Sequence, residues 1–196
     1  MHRLDSQLAF LHEIDKVKNI FRQTAVSGSE RHENDAEHSW HLAVMAMVLS
    51  EYAAEPVDLC RVIRMVLVHD LVEIDAGDTF CYDEQGALDK AERENACADR
   101  LFAMLPDAQG SEMRALWDEF EARETAEARF ACAIDRMQPI FQNYHTHGHS
   151  WVEHGIHIDQ VLTRNTVVRD TMPAVWEKVL VMLENGVKAG WLQDDR

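Results

Sequence analysis

Val62-Ile63-Arg64-Met65-Val66-Leu67-Val68-His69-Asp70-Leu71-Val72-Glu73-Ile74-Asp75-Ala76-Gly77-Asp78 begins as an almost unbroken apolar run, then carries a His-Asp pair, further acids and a glycine. A segment that is apolar on nearly every side reads as a buried helix. Burying His69 and Asp70 there is costly unless their polar atoms are compensated. A metal ion would do this, because it takes neutral imidazole and ionised carboxylate together. A helix turns about 100° per residue, so His69 and Glu73 are expected on one face with Asp70 beside them. The plainer alternative is a His-Asp pair hydrogen-bonded in an ordinary core. The acids that follow count against it.

Asp58 is a candidate N-cap for this helix, and Gly77 suits its C-terminal end. Toward the N-terminus, Phe10, Ile14, Val17 and Phe21 are spaced 4-3-4, which predicts an amphipathic helix over residues 5–22. The polar stretch 23–35, with Ser27-Gly28-Ser29, predicts a loop. Asp35 or a neighbour can cap a helix running from about Ala36 to Tyr52. Toward the C-terminus, residues 79–87 read as loop and 88–105 as a polar helix that stops at Pro106. Ser111 and Thr125 are candidate caps for two further helices, the second carrying Pro139. Residues 145–155 read as a histidine-rich loop, 156–169 as weakly helical, and Pro173 as the first residue of a last helix. No segment shows useful strand alternation. The expected fold is all-α, an irregular bundle of about six to eight helices. The expected organisation is one domain over residues 1–196, with a motif-bearing core at about 8–145 and C-terminal helices at 156–190 packed on it.

Two more positions can complete a site. In Glu37-His38-Ser39-Trp40-His41, His38 is one turn from Leu42 and two turns from Met45, which puts it on the core face. A core histidine alone is more often a packed residue than a ligand, but His69 and Asp70 on a neighbouring apolar helix offer it partners. Asp135 lies among Ala131, Ile134, Gln138 and Phe141. It is either a buried carboxylate balanced by a cation or an edge aspartate paired with Arg136. Together His38, His69, Asp70 and Asp135 suit one borderline divalent ion (Mn, Co, Zn or Fe) and leave positions for water.

His38, the His69-Asp70 pair and Asp135, in this order on helices, resemble the HD-domain metal-dependent phosphohydrolases. The flanking stretches Asn34-Asp35-Ala36-Glu37-His38-Ser39-Trp40-His41, His69 to Asp78 and Ala126-Glu127-Ala128-Arg129-Phe130 are similar to its 5′-deoxynucleotidase branch. The resemblance implies a helical fold and hydrolysis of nucleoside 5′-monophosphates to nucleoside and phosphate. It implies that His38, His69, Asp70 and Asp135 hold the metal, and that Glu73 and Asp78 act on the water nucleophile and the leaving group. It also implies that Arg22 contacts substrate. Gln23 stands where some members carry a tryptophan near the sugar. His41 is the spare ligand that a dinuclear site would need.

Composition narrows the alternatives. A net charge of −16 argues against nucleic-acid polymers and anionic membranes as partners but does not exclude a small anion, and the resemblance implies a small nucleotide. The four cysteines have no CxxC spacing and read as free thiols in a reducing compartment. The N-terminus has no long apolar segment, so a cytoplasmic protein is expected. Trp176 and Trp191 could pack a homodimer or finish the core. Other HD chemistries (cyclic-nucleotide or alarmone hydrolysis, di-iron oxygenation) and a non-enzymatic helical binding protein are the competing readings. His145, His147, His149, His154 and His157 read as a flexible loop rather than a second metal site.

Overall fold

A computed structural model describes residues 2–195. The helices are α1 (Arg3–Ile14), α2 (Asp35–Leu49), α3 (Leu59–Val68), α4 (Glu73–Ala76), α5 (Lys90–Phe102) and α6 (Asp107–Ala122), followed by α7 (Ala126–His145), α8 (His149–Glu153), α9 (Ile158–Arg164), α10 (Thr166–Thr171) and α11 (Pro173–Lys188). The all-α expectation holds, with the helices more finely divided than periodicity suggested. The one sheet among the described residues is an antiparallel pair, β1 (Phe21–Ala25) and β2 (His32–Asn34).

The 20-residue α7 is the organising element. Thr125 caps it by accepting from the Ala128 amide, and it packs against α2, α3, α6, α10 and α11. Phe130 and Ile134 on α7 join Leu42, Met65 and Leu183 in the larger apolar cluster. A second cluster joins Phe10, Val17, Val72, Leu101 and Trp117 beneath α4 and α5. Trp176 and Trp191 pack against the larger cluster.

Three local departures from the sequence expectations shape the site. First, α1 ends at Ile14, a tight 3-10 turn covers Asp15–Asn19, and the chain then extends into β1. Arg22 therefore sits on a strand, not at the end of the first helix. The supposed loop 23–35 is a hairpin closed by Val26 and Arg31, with Gly28 at φ 77°. Strands of five and three residues are too short to display an alternating pattern.

Second, the opening run is not one helix. Asp58 caps α3 through the Arg61 amide as expected, but α3 stops at Val68. His69–Val72 is a 3-10 turn before the single turn of α4, and Gly77 ends it at φ 74°. A 3-10 turn has three residues per turn, so residues i and i+3 eclipse. Glu73 consequently lines up with Asp70 rather than sharing a face with His69.

Third, Pro106 rather than Ser111 starts α6, and α8 lies inside the supposed histidine loop. Asn34 caps α2 with a reciprocal Glu37 contact, and Pro173 opens α11 as read from sequence.

Candidate metal centre and its cleft

α2, the 3-10 turn after α3, and α7 bring His38, His69, Asp70 and Asp135 to one point. His38 Nε2 lies 3.1 Å from Asp135 Oδ1 and 3.8 Å from Asp70 Oδ2. His69 Nε2 lies 3.1 Å from Asp70 Oδ1 and 3.8 Å from Asp135 Oδ1. One ligand atom each from His38, His69 and Asp135 falls within 4.8 Å of the others. Asp135 is thus the inward carboxylate of the two sequence alternatives, with Arg136 Nε at 3.9 Å from its other oxygen.

The hydrogen bonding fits a cation. His69 Nδ1 faces the Val66 carbonyl at 2.9 Å, so Nδ1 donates and Nε2 is the nitrogen that faces inward, with a lone pair for a cation once its proton leaves. That Nε2 is buried without a hydrogen-bond partner. Burial disfavours a charge on His69, but Asp70 and Asp135 overcome it and lift the imidazole to about 10. His38 first, and His69 with it, hold the Asp135 carboxyl well below the ordinary aspartate range against the pull of burial. Without metal, a proton balances the acids. A divalent ion balances them better and uses the same atoms.

Glu33, which the sequence reading passed over, supports this cluster. It is 3% exposed on β2 and accepts from Gln138 Nε2 at 2.9 Å and Gln142 Nε2 at 2.6 Å. One of its oxygens lies 3.6 Å from His38 Nδ1. A carboxylate behind a ligating imidazole fixes ring orientation and raises its basicity. Nothing in the polar stretch 23–35 distinguishes Glu33 from a solvated acid, because its burial depends on the hairpin.

A second buried group, Asp35, Asp70 and Glu73, adjoins the first and shares Asp70. Burial and the neighbouring Asp70 push the Asp35 carboxyl up to about 7. Burial, Asp70 and Asp35 push Glu73 well above the usual carboxylate range. Arg22 Nη1 answers the trio, at 3.0 Å from Asp70 Oδ2 and 3.4 Å from Asp35 Oδ1. His41 takes no part in either group. Its Nδ1 is 3.3 Å from Gln138, and its ring packs edge-on to Phe141.

His69, Asp70 and Asp135 of the first group and Asp70 and Glu73 of the second line a cleft with a volume of about 120 Å³. Asp78, which follows Gly77, lines it with Arg22, Glu73, Phe80 and Tyr82. Burial raises the Asp78 carboxyl and Arg22 opposes that rise. Gln23 Oε1 accepts from His154 Nε2 across 3.2 Å, and the His154 ring in turn packs at a 38° tilt against Phe80 with centroids 4.4 Å apart. The other loop histidines disperse. His147 meets Trp191, His149 meets His32, and His157 pairs with Asp195. Asp75 forms an outward ion pair with Arg100.

Comparisons with known proteins agree with this geometry. The model of the HD domain matches residues 14–176. The Homo sapiens 5′-deoxynucleotidase HDDC2 is 31% identical over 142 residues, covering 72% of this chain and 68% of that protein. The Xenopus laevis 5′-deoxynucleotidase HDDC2 is 32% identical over 138 residues, covering 70% and 67%. The crystal structure of a predicted metal-dependent phosphohydrolase from Magnetospirillum magnetotacticum MS-1 superposes with a TM-score of 0.93 at 48% identity, covering 98% of this chain and 96% of that one. A Pyrococcus horikoshii OT3 protein shares the fold alone, with a TM-score of 0.58 at 19% identity over 93% and 99% of the two chains. With its paired imidazoles and carboxylates in place across three helical segments, the chain belongs to the HD-domain family.

Proposed function

We propose that this protein is a metal-dependent phosphomonoesterase that converts nucleoside 5′-monophosphates, deoxyribonucleotides first among them, to nucleoside and inorganic phosphate. The observation that carries the reading is the convergence of ligand atoms from His38, His69 and Asp135 within 4.8 Å of one another, with Asp70 Oδ1 3.1 Å from His69 Nε2, beside an open cleft. The names of the HDDC2 relatives supply the nucleotide class.

In this reading His38, His69, Asp70 and Asp135 hold one divalent ion, Mn, Co, Zn or Fe. Such an ion supplies charge that activates water near neutral pH and neutralises phosphate oxygens. Arg22 offers its guanidinium to the phosphate in a forked contact, and the acid trio behind it fixes its orientation. Burial and two neighbouring acids shift Glu73 toward its protonated form, the form that can give a proton to the leaving 5′-oxygen. Asp78, which also lines the cleft, is the carboxylate assigned to accept the proton from the attacking water. Phe80 and Tyr82, which line the cleft, offer aromatic surface for a base or sugar. Because Arg22 already answers the Asp35–Asp70–Glu73 trio, that group does not require a second ion.

The protein acts as a single HD unit on a small nucleotide rather than on a polymer. No helix among the described residues is long and apolar enough to cross a membrane. Four free thiols fit a reducing, cytoplasmic setting. The test is a phosphate-release screen of purified protein over ribo- and deoxyribonucleotides with Mn, Co, Zn, Fe or Mg. Release from at least one 5′-monophosphate, abolished by chelation, is expected. No release from any nucleotide with any metal refutes the reading.

A further inference from the structure

The start of α5 forms a wall of the cleft that the proposed reaction does not use. Lys90 and Glu94, one helical turn apart, line the cleft together with Arg22, Asp70, Glu73 and Asp78. Arg93, between them in sequence, ties α5 to the segment that carries Asp78. Its guanidinium donates to the Ala76 carbonyl, to Thr79 Oγ1 at 3.2 Å and to the Gly86 carbonyl at 3.0 Å, and its Nε donates to Asp89 Oδ1 at 2.9 Å. Hydrogen bonds on both sides of Asp78 therefore fix that residue relative to Lys90.

Lys90 Nζ lies 2.9 Å from Glu94 Oε1. An ordinary pair of this spacing on a solvated helix face exposes both partners and contributes little to stability. Here Glu94 is 5% exposed, while the lysine side chain remains 38% exposed. Taking a carboxylate out of water to meet a half-open ammonium costs free energy, and what it achieves is a fixed place for the ammonium. An ammonium has three donors. Glu94 is its one partner among the described residues, which leaves two donors free. Burial opposes the charge on Lys90, but Glu94 outweighs it, with Glu73 and Asp70 adding, so the ammonium stays above the ordinary lysine value. Its charge also reaches Asp78, where it joins Arg22 in opposing the rise that burial causes. Arg22 already commits Nη1 to Asp70 and Asp35. A phosphate entering beside Glu73 and Asp78 meets like charge there. Lys90 is a second cation within reach of those acids, and an ammonium binds phosphate oxygen as a compact point charge.

We propose that Lys90 contacts the phosphoryl group of the substrate together with Arg22, and that the buried Glu94 is the positioning residue that holds it there. The inference rests on the nucleotide phosphatase reading and deepens it by adding a substrate-binding residue to the same site.

The test uses Mn-loaded wild type, Lys90→Met, Lys90→Arg and Glu94→Gln with dAMP as substrate. Inorganic phosphate and deoxyadenosine serve as inhibitors, and chelator competition gives the Mn affinity. Lys90→Met is expected to lower kcat/KM for dAMP by about tenfold or more and to weaken inhibition by inorganic phosphate in parallel. Inhibition by deoxyadenosine, which has no phosphate, and Mn affinity are expected to stay at the wild-type level. Lys90→Arg should restore part of the loss, and Glu94→Gln should show a smaller loss with the same selectivity for phosphate. The double variant Lys90→Met/Glu94→Gln leaves no carboxylate buried alone, and it should keep the phosphate-selective defect. A Lys90→Met protein with wild-type kcat/KM and phosphate inhibition overturns the inference while leaving the phosphatase intact. A loss shared by phosphate, deoxyadenosine and Mn also overturns it, because Lys90 then serves the fold. If wild type neither binds nor hydrolyses dAMP or any other nucleotide, the nucleotide reading falls and the inference with it.

Discussion

Replacing Glu33 by glutamine tests whether a residue that touches no substrate governs metal affinity. The side chain is 3% exposed, accepts hydrogen bonds from Gln138 and Gln142, and stands 3.6 Å from His38 Nδ1. Interaction with His38 and Gln138 holds its carboxyl below the ordinary glutamate range despite burial, so it is ionised at neutral pH. Glu33→Gln keeps the shape and removes the charge behind the imidazole. Loss of such a partner lowers metal affinity by about 10–100-fold, or roughly 1.4–2.8 kcal/mol. Glu33→Ala additionally strands the Gln138 and Gln142 amides. At about 1–3 kcal/mol for each unsatisfied buried donor, it should cost roughly 2–6 kcal/mol of folding stability. Chelator competition with Mn gives the affinities, and urea unfolding in EDTA gives the stabilities. The expected pattern is weakened metal binding with modest stability loss for Glu33→Gln, and loss of both for Glu33→Ala. A glutamine variant that binds Mn as tightly as wild type refutes the reasoning.

Other perturbations follow from the same coordinates. Asp35 is pushed up to about 7, so between its unfolded value near 4 and pH 7 the folded chain binds more protons than the unfolded chain, and metal-free stability falls as pH rises. Urea midpoints in EDTA at pH 5 and pH 8 should therefore drop more steeply for wild type than for Asp35→Asn, and equal slopes would contradict this. Metal must displace the proton from His69, which is lifted to about 10, so affinity should rise by about tenfold per pH unit for each proton expelled near neutrality. Calorimetry in buffers of different ionisation enthalpy counts those protons, and zero release would be inconsistent with His69 as a ligand. Gly148 has φ 73°, and a Cβ there would lie 2.4 Å from that of Trp191. Gly148→Ala should cost about 2–4 kcal/mol in urea unfolding, and a cost under about 0.5 kcal/mol would mean that this corner yields freely.

The four proposed ligands were legible because each left a polar residue on a face that periodicity assigns to the core. His38, Asp70 and Asp135 all break an apolar pattern, and burial makes such interruptions expensive. What was not legible depends on backbone geometry set by tertiary contacts. The break after Val68 occurs inside a run with uniform helical character, so nothing in Val62–Val72 announces the 3-10 turn that pairs Glu73 with Asp70. The β1–β2 hairpin is short and polar, and its strands are held by the surrounding helices rather than by alternation. Arg22 was therefore placed on the wrong kind of element, and the roles of Glu33 and Asp35 were hidden.

The central claim is that His38, His69, Asp70 and Asp135 hold one divalent cation. Anomalous diffraction from crystals grown with Mn tests it most directly. The account predicts a single strong peak bounded by His38 Nε2, His69 Nε2 and oxygens of Asp70 and Asp135, and its loss in Asp70→Ala. A peak elsewhere, or none in this cluster at saturating Mn, contradicts it.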